Sequence, residues 1–310
     1  MPKATTISKA ITSTLSYHSR FSYPLTFDEL HRFLVINRPL SSNEVKKILD
    51  ELVKKQEVIK QKNYYSLPSS FVLRPSSFTL RPRRAAASAP KLHLARRAAR
   101  LIGLLPWVKL ICVTGSLAME NSDSGDDIDL MIVISPNRLW LTRPLVILLI
   151  SLFFKRRKPV PSSFVLRPSS FSNTLCLNLW LDASALAMPP HRRDLRTAHE
   201  LAQMQPLINK NHTYEKMLLL NKWGKKYLAN FWNSFLRPSS FVLRPSTNNP
   251  LNLFNLLLFR LQYAYMKPKI TSEEVNLHSA FFHPKHPLLL ESAERILFVS
   301  RDTNRKLKQV

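Results

Sequence analysis

Asp127 and Asp129 stand one residue apart at the head of an apolar run, Leu-Met-Ile-Val-Ile. In an extended strand, side chains alternate between faces. The spacing therefore predicts Asp127 and Asp129 on one face, and Ile128, Leu130 and Ile132 on the other. Two carboxylates side by side repel each other, and the arrangement is costly unless a cation sits between them. Hard divalent ions such as Mg²⁺ take oxygen ligands and usually share them with substrate phosphates. Upstream, Gly115 and Ser116 follow the apolar run 108–113. The chain has only 4 glycines in 310 residues, and two of them, Gly115 and Gly125, bracket this motif. Gly115 would let the backbone turn tightly and approach a ligand closely. The amides after it would open a helix, where unpaired N–H groups attract anions. The pattern is neither Gly-x-Gly-x-x-Gly nor a Walker loop. The bland alternative is a glycine turn and an acidic strand end at the surface.

The stretch 113–134, VTGSLAMENSDSGDDIDLMIVI, resembles the signature of the DNA polymerase β-like nucleotidyltransferase superfamily. That signature is an apolar strand, Gly-Ser, a spacer of about ten residues, then Asp-x-Asp on the next strand. Gly115, Ser116, Asp127 and Asp129 match it residue by residue. Asp126 stands where serine is usual, and alternation points it away from the acid pair. The resemblance implies an α+β nucleotidyltransferase fold, with a mixed sheet and flanking helices. It also implies two Mg²⁺ ions held by Asp127 and Asp129, and a nucleoside triphosphate as substrate. Gly115 and Ser116 would cradle its β and γ phosphates. The implied reaction moves a nucleoside monophosphate from the triphosphate to a hydroxyl acceptor that the sequence does not name.

Members of this superfamily usually supply a third carboxylate from a later strand. The candidate strand here is 175–182, LCLNLWLD. Alternation places Leu175, Leu177, Leu179 and Leu181 on one face, and Cys176, Asn178, Trp180 and Asp182 on the other. Asn178 lies where the third acid is expected, and Asp182 about 13 Å further along by strand rise. Three outcomes stay open: Asp182 completes the site, Asn178 serves as a weak ligand, or the site is impaired.

Other elements must position this motif. Residues 1–67 read as a separate small domain. A helix over 6–15 comes first. A second starts at Thr26, with Glu29 in the capping-box position. A third starts near Ser41 and buries Val45, Ile48, Leu49 and Leu52. A hairpin over 58–67 turns at Lys62 and Asn63. Three helices and a basic hairpin resemble a winged helix-turn-helix domain, which would set Lys46, Lys47, Lys54 and Lys55 near phosphates of DNA. Residues 68–90 read as a linker, and 85–104 as a basic helix leading into the strand at 108. The catalytic domain is expected over 91–190. Residues 191–310 read as a helical acceptor-binding lobe, with helices over 195–204, 214–232 and 251–266. His278, His283 and His286 cluster near the end, but their spacing fits no standard zinc site.

The peptide PSSFVLRPSSF occurs at 68–78 and again at 161–171, with a close third copy over 235–246. The unequal spacings exclude a solenoid. Each copy falls at a junction and lacks a sustained helical or strand period. They read as insertions that loops tolerate cheaply.

The formal net charge of +26 points to a polyanion partner, nucleic acid or nucleotide phosphates. The inserted segments contribute part of that charge. Two cysteines, Cys112 and Cys176, fall inside expected strands and read as small buried residues, which argues against a disulfide framework. The polar start lacks a secretory signal, so a cytoplasmic location is expected. The apolar run 145–154 is too short to span a bilayer, yet the basic run 155–158 beside it leaves peripheral membrane contact open. A second functional class also stands: a catalytically impaired nucleotidyltransferase-fold regulator that binds DNA through its winged-helix module.

Overall fold

Local chemistry starts the N-terminal elements. Helix α1 spans Pro2–Ser19. Helix α2 (Phe27–Arg32) begins where Thr26 Oγ1 accepts the Glu29 amide and the Glu29 carboxylate accepts the Thr26 amide in return. Ser41 and Glu44 do the same for α3 (Ser42–Lys54). Such reciprocal caps satisfy amides that a helix start leaves unpaired. Strands β1 (Ile59–Gln61) and β2 (Tyr64–Ser66) pair antiparallel, and Lys62 between them adopts the left-handed φ of 54°. Leu25 bridges to Tyr65. Ile11, Leu30, Leu34, Val45, Leu49 and Tyr65 share one core. In this computed structural model the described residues are 2–68, 77–157, 172–235, 250–270 and 273–282. The repeat at 161–171, most of those at 68–78 and 235–246, and His283 and His286 lie outside them.

The expected linker over 68–90 is, from Ser77 onward, the first part of a 27-residue helix, α4 (Ser77–Gly103). Pro82 and Pro90 lie inside it, and proline lacks the amide a helix interior uses. Tertiary contacts hold this half in place. Arg81 Nη2 donates to Glu29 Oε1 at 2.7 Å, and Arg81 Nη1 donates to the Pro24 carbonyl at 2.8 Å. Further on, Leu92, Ala95, Ala99 and Ile102 pack against the central sheet.

That sheet is mixed and has six strands: β3 (Val108–Val113), β4 (Ile128–Ile134), β5 (Leu175–Asp182), β6 (Gln205–Asn209), β7 (Glu274–Val275) and β8 (Ser279–Phe281). Their order is β6-β3-β4-β5-β8-β7, and only the β4–β5 pair is parallel. A short helix, α5 (Gly115–Ala118), follows β3, and α6 (Leu139–Phe153) lies between β4 and β5 in the chain. One face carries Ile111, Ile128, Leu130, Ile132 and Trp180 into a core shared with α4 and α6. The other carries Cys112, Met131, Val133 and Leu181 toward α7 (Leu195–Gln203), α8 (Thr213–Leu220) and α9 (Ala229–Phe235).

Strands β6, β7 and β8 come from the region expected to be a separate helical lobe. A boundary at 190 therefore cuts the sheet. These strands are 2 to 5 residues long, too short to show a two-residue period. The helix expected over 214–232 is broken. Asn221 is buried: its Oδ1 accepts the Met188 amide at 2.8 Å, and its Nδ2 donates to the Leu186 and Met217 carbonyls. Gly224 lies so near Trp232 that a Cβ there would meet the indole at 2.4 Å. The last described α-helix, α10 (Pro250–Met266), matches the expected 251–266. No helix among the described residues is long and apolar enough to cross a membrane.

Candidate metal and nucleotide site

β3 delivers the chain to a corner. The Thr114 amide donates to the Asp129 carbonyl at 3.0 Å, and the backbone then turns at Gly115 with φ of 65°. A Cβ at Gly115 would stand 2.7 Å from Asp129 Oδ2. Glycine therefore meets two demands here, a left-handed backbone and contact with a carboxylate. Asp129 sits on β4 on the face opposite Ile128 and Leu130, as alternation predicts. Carboxylate oxygens of Asp127 and Asp129 and the Cys176 Sγ lie within 4.8 Å of one another. The paired register of β4 and β5 explains the third member, since Cys176 is the partner of Asp129.

Two further groups complete the cluster. Arg157 Nη1 donates to Asp127 Oδ2 at 2.5 Å. Burial works against the Arg157 charge, but the Asp127 hydrogen bond and carboxylate outweigh it and hold the guanidinium more firmly protonated than usual. Asn178 Nδ2 donates to Asp129 Oδ1 at 2.9 Å. The Cys176 thiol is pushed well up, first by burial and then by the charges of Asp129 and Asp127. Both effects favour its neutral form over the thiolate.

The loop that carries Asp127 is braced by one face of α4. Arg84 Nη2 donates to Asp123 Oδ2 at 2.9 Å, and Ser88 Oγ accepts the Ser122 amide at 3.1 Å. The buried Lys91 ammonium donates to Ser122 Oγ at 3.1 Å, to the Asp126 carbonyl at 2.7 Å and to the Asp123 carbonyl. Burial lowers the Lys91 pKa, and the carboxylates of Asp126, Asp127 and Asp123 oppose that effect. From the N-terminal module, Tyr23 Oη lies 2.9 Å from the Met119 carbonyl and 2.8 Å from Glu29 Oε1. Asp126 turns aside to accept the Asp123 amide at 2.8 Å. Ser116 is exposed, and its hydroxyl lies 3.5 Å from Asp126 Oδ2.

The expected site residues thus divide. Gly115, Asp127 and Asp129 come together, with Ser116 beside Gly115 in the chain. Asp182 does not join them. It pairs with Ile134, five residues along β4 from Asp129, roughly 16 Å by strand rise. It is fully buried and caps a loop, accepting the amides of Asn137 at 2.5 Å and Ser184 at 2.8 Å. The β5 faces also differ from the expected alternation. The register shifts between Leu130 and Met131, whose partners are Leu177 and Leu179, so Asn178 is a bulge. Leu175 and Leu177 then share a core with Trp180, while Leu179 and Leu181 join the other face. A bulge reverses side-chain parity, and a period count made on sequence assumes an unbroken ladder.

Sequence reasoning missed Arg157, Cys176, Lys91 and Tyr23 as site residues. Arg157 read as part of a basic flank and Cys176 as a small strand residue. One signal for Cys176 was available, because it occupies the acid-side parity of a strand expected to neighbour Asp129. Nothing local marks Lys91 or Tyr23.

The residues fit a hard divalent cation. Asp127 and Asp129 offer paired carboxylate oxygens, and Asn178 Oδ1 is a buried oxygen without a hydrogen-bond partner. An amide's oxygen and nitrogen can exchange places by rotation, which would bring Oδ1 to the acid side. Mg²⁺ takes such oxygens and keeps waters and phosphates as its other ligands. No family model matches the chain, and no curated protein or solved structure does.

Proposed function

We propose that this chain is a Mg²⁺-dependent nucleotidyltransferase, moving a nucleoside monophosphate from a triphosphate to a hydroxyl acceptor. One observation carries the reading: Gly115 turns with a left-handed backbone directly against the Asp129 carboxylate, with Asp127 in the same cluster. A tight corner beside an acid pair lets phosphates approach the backbone where cations can bridge them to the protein. Asp127 and Asp129 would hold the ions, with Asn178 Oδ1 as a neutral third oxygen. Bound there, Mg²⁺ would lower the pKa of an acceptor hydroxyl and neutralise charge on the departing pyrophosphate. Gly115 would admit the phosphates, and the exposed Ser116 hydroxyl would donate to a phosphate oxygen. Arg157 supplies a fixed positive charge beside Asp127, suited to a phosphate once a cation has taken the carboxylate. The three N-terminal helices and hairpin support a winged-helix reading of that module. Lys47, Lys54 and Lys55 are exposed there, while Lys46 is bound to Asp50 at 2.9 Å.

The test is incorporation. The protein is incubated with each labelled nucleoside triphosphate, Mg²⁺ and a cell extract, and the labelled product is identified. The Asp129→Ala chain should leave the product unlabelled. Equal labelling by both would remove the acid pair from the chemistry.

A second reading is favoured by Asn178 itself. A neutral amide stands where a third acid is expected, and its Nδ2 engages Asp129. On that reading the fold binds nucleotide without turnover, and the N-terminal module binds DNA in a salt-sensitive way. Nucleotide binding without pyrophosphate release would select it.

A further inference from the structure

Helix α10 packs Leu258, Phe259 and Met266 on the core shared by α4 and α6, and turns a row of leucines outward. Asn252, Asn255 and Gln262 recur at helical spacing on the face toward α6. Asn255 Oδ1 accepts the amides of Trp140 at 2.9 Å and Leu141 at 3.2 Å. Gln262 Nε2 donates to the Trp140 carbonyl at 2.7 Å, and Asn252 Oδ1 accepts from Arg138 at 2.7 Å. Among the described residues of this helix, only Asn255 is buried. On the opposite side Leu253, Leu257 and Leu261 recur every four residues, each more than half exposed. Neighbouring α6 buries Trp140, Val146 and Ile150 and likewise leaves leucines outside, Leu145, Leu148 and Leu152. Two neighbouring helices that each present exposed leucines are suited to an apolar exterior.

Charge selects the exterior. Neither α6 nor α10 contains an aspartate or glutamate. The exposed cations Lys155, Arg260, Lys267 and Lys269 lie within or just beyond these helices. Neither helix can cross a bilayer. Exposed leucines flanked by cations and free of carboxylates are the chemistry of a helix lying in an anionic lipid surface. A second copy would bring like charges together. We propose that the outer faces of α6 and α10 dock this chain on an anionic lipid surface, with the leucines in the acyl boundary and the cations at the headgroups. This surface is independent of the nucleotide chemistry proposed above.

Flotation of the full chain tests it, using vesicles of phosphatidylcholine alone or phosphatidylcholine with phosphatidylglycerol. The chain is expected to float only with the phosphatidylglycerol vesicles and to release as salt rises. Combining Leu253→Glu, Leu257→Glu and Leu261→Glu should lower the bound fraction roughly tenfold or more, with unchanged circular dichroism. Should that variant lose its fold, Leu257→Trp supplies the readout: its emission should shift to the blue on adding the same vesicles. The proposal is overturned by failure to float, by equal flotation of a folded triple variant, or by an emission of the Leu257→Trp chain that vesicles do not move. A dimer in light scattering that the substitutions dissolve, without vesicle binding, would overturn it in favour of a second copy.

Discussion

Gly115 and Asp129 are in contact across the β3–β4 pair: a methyl group on the glycine would stand 2.7 Å from the aspartate Oδ2. The glycine's φ of 65° places it where a side chain is also strained by its own backbone. Gly115→Ala is therefore expected to destabilise the fold by about 1–2 kcal/mol from the backbone alone. It should also displace the carboxylate and weaken divalent-cation binding. Urea denaturation and a cation titration on the same sample measure both effects. An unchanged midpoint together with unchanged binding would contradict the contact.

Arg157 and a divalent cation share a carboxylate. The guanidinium bonds Asp127 at 2.5 Å, at a site where Arg157 is 36% exposed and Asp127 14%. Partial exposure limits the pair to about 1 kcal/mol. Arg157→Gln should lower the thermal midpoint without metal, because two carboxylates then repel without an organic cation. The same substitution should enlarge the rise in midpoint that Mg²⁺ produces, since an ion that binds the folded state stabilises it by mass action. Thermal melts over a Mg²⁺ series decide this, and a smaller rise than in the parent would contradict the competition.

Lys91 holds the acid-bearing loop through Ser122 Oγ and the backbone carbonyls of Asp123 and Asp126. Lys91→Met would leave the carbonyls of Asp123 and Asp126 without their ammonium donor. The expected loss is about 2 kcal/mol of stability. Cation affinity should fall too, although Asp127 and Asp129 are intact. A variant as stable as the parent, binding cation equally, would show that the loop holds itself.

Two buried histidines make the fold acid-sensitive. His18 of α1 and His199 of α7 meet edge to face with ring centroids 5.2 Å apart, and Tyr17 stacks on His199 at 4.2 Å. The Nε2 atoms of both are buried without a hydrogen-bond partner. Burial pushes His18 down to about 3, and burial with the neighbouring His18 holds His199 well below its ordinary value. Both are thus neutral in the fold, while the unfolded chain titrates near 6.5. Their contribution is fully present above about pH 6.5 and is lost as pH falls toward the folded values. The slope is about 1.4 kcal/mol per pH unit for each histidine. Urea midpoints between about pH 7 and pH 4 should fall steeply, and less so for His199→Phe. Equal slopes would assign the acid sensitivity elsewhere.

What the sequence disclosed follows the range of the interactions. The closeness of Asp127 and Asp129 and the capping boxes of α2 and α3 depend on neighbours a few residues away. These were legible. The β5 faces were not, because the bulge at Asn178 is a property of a pair of strands. The first part of α4 was hidden for a similar reason: two prolines and basic residues obscure any period, and Glu29, 52 residues away, holds Arg81. Arg157 reaches Asp127 across 30 residues of chain. Asp182 was legible as a strand-end acid but not as a loop cap, since its partner Asn137 lies 45 residues away.

Divalent-cation binding tests the proposed centre most directly. Mn²⁺ stands in for Mg²⁺, and its free concentration is followed by electron paramagnetic resonance, with and without a non-hydrolysable ATP analogue. The parent chain is expected to bind Mn²⁺ and to bind it more tightly once the nucleotide is present. The double substitution Asp127→Asn and Asp129→Asn should lose this binding while retaining the parent's circular dichroism. Mn²⁺ binding that survives the double substitution, or no binding by the parent even with nucleotide, would contradict a cation centre at the Gly115 corner.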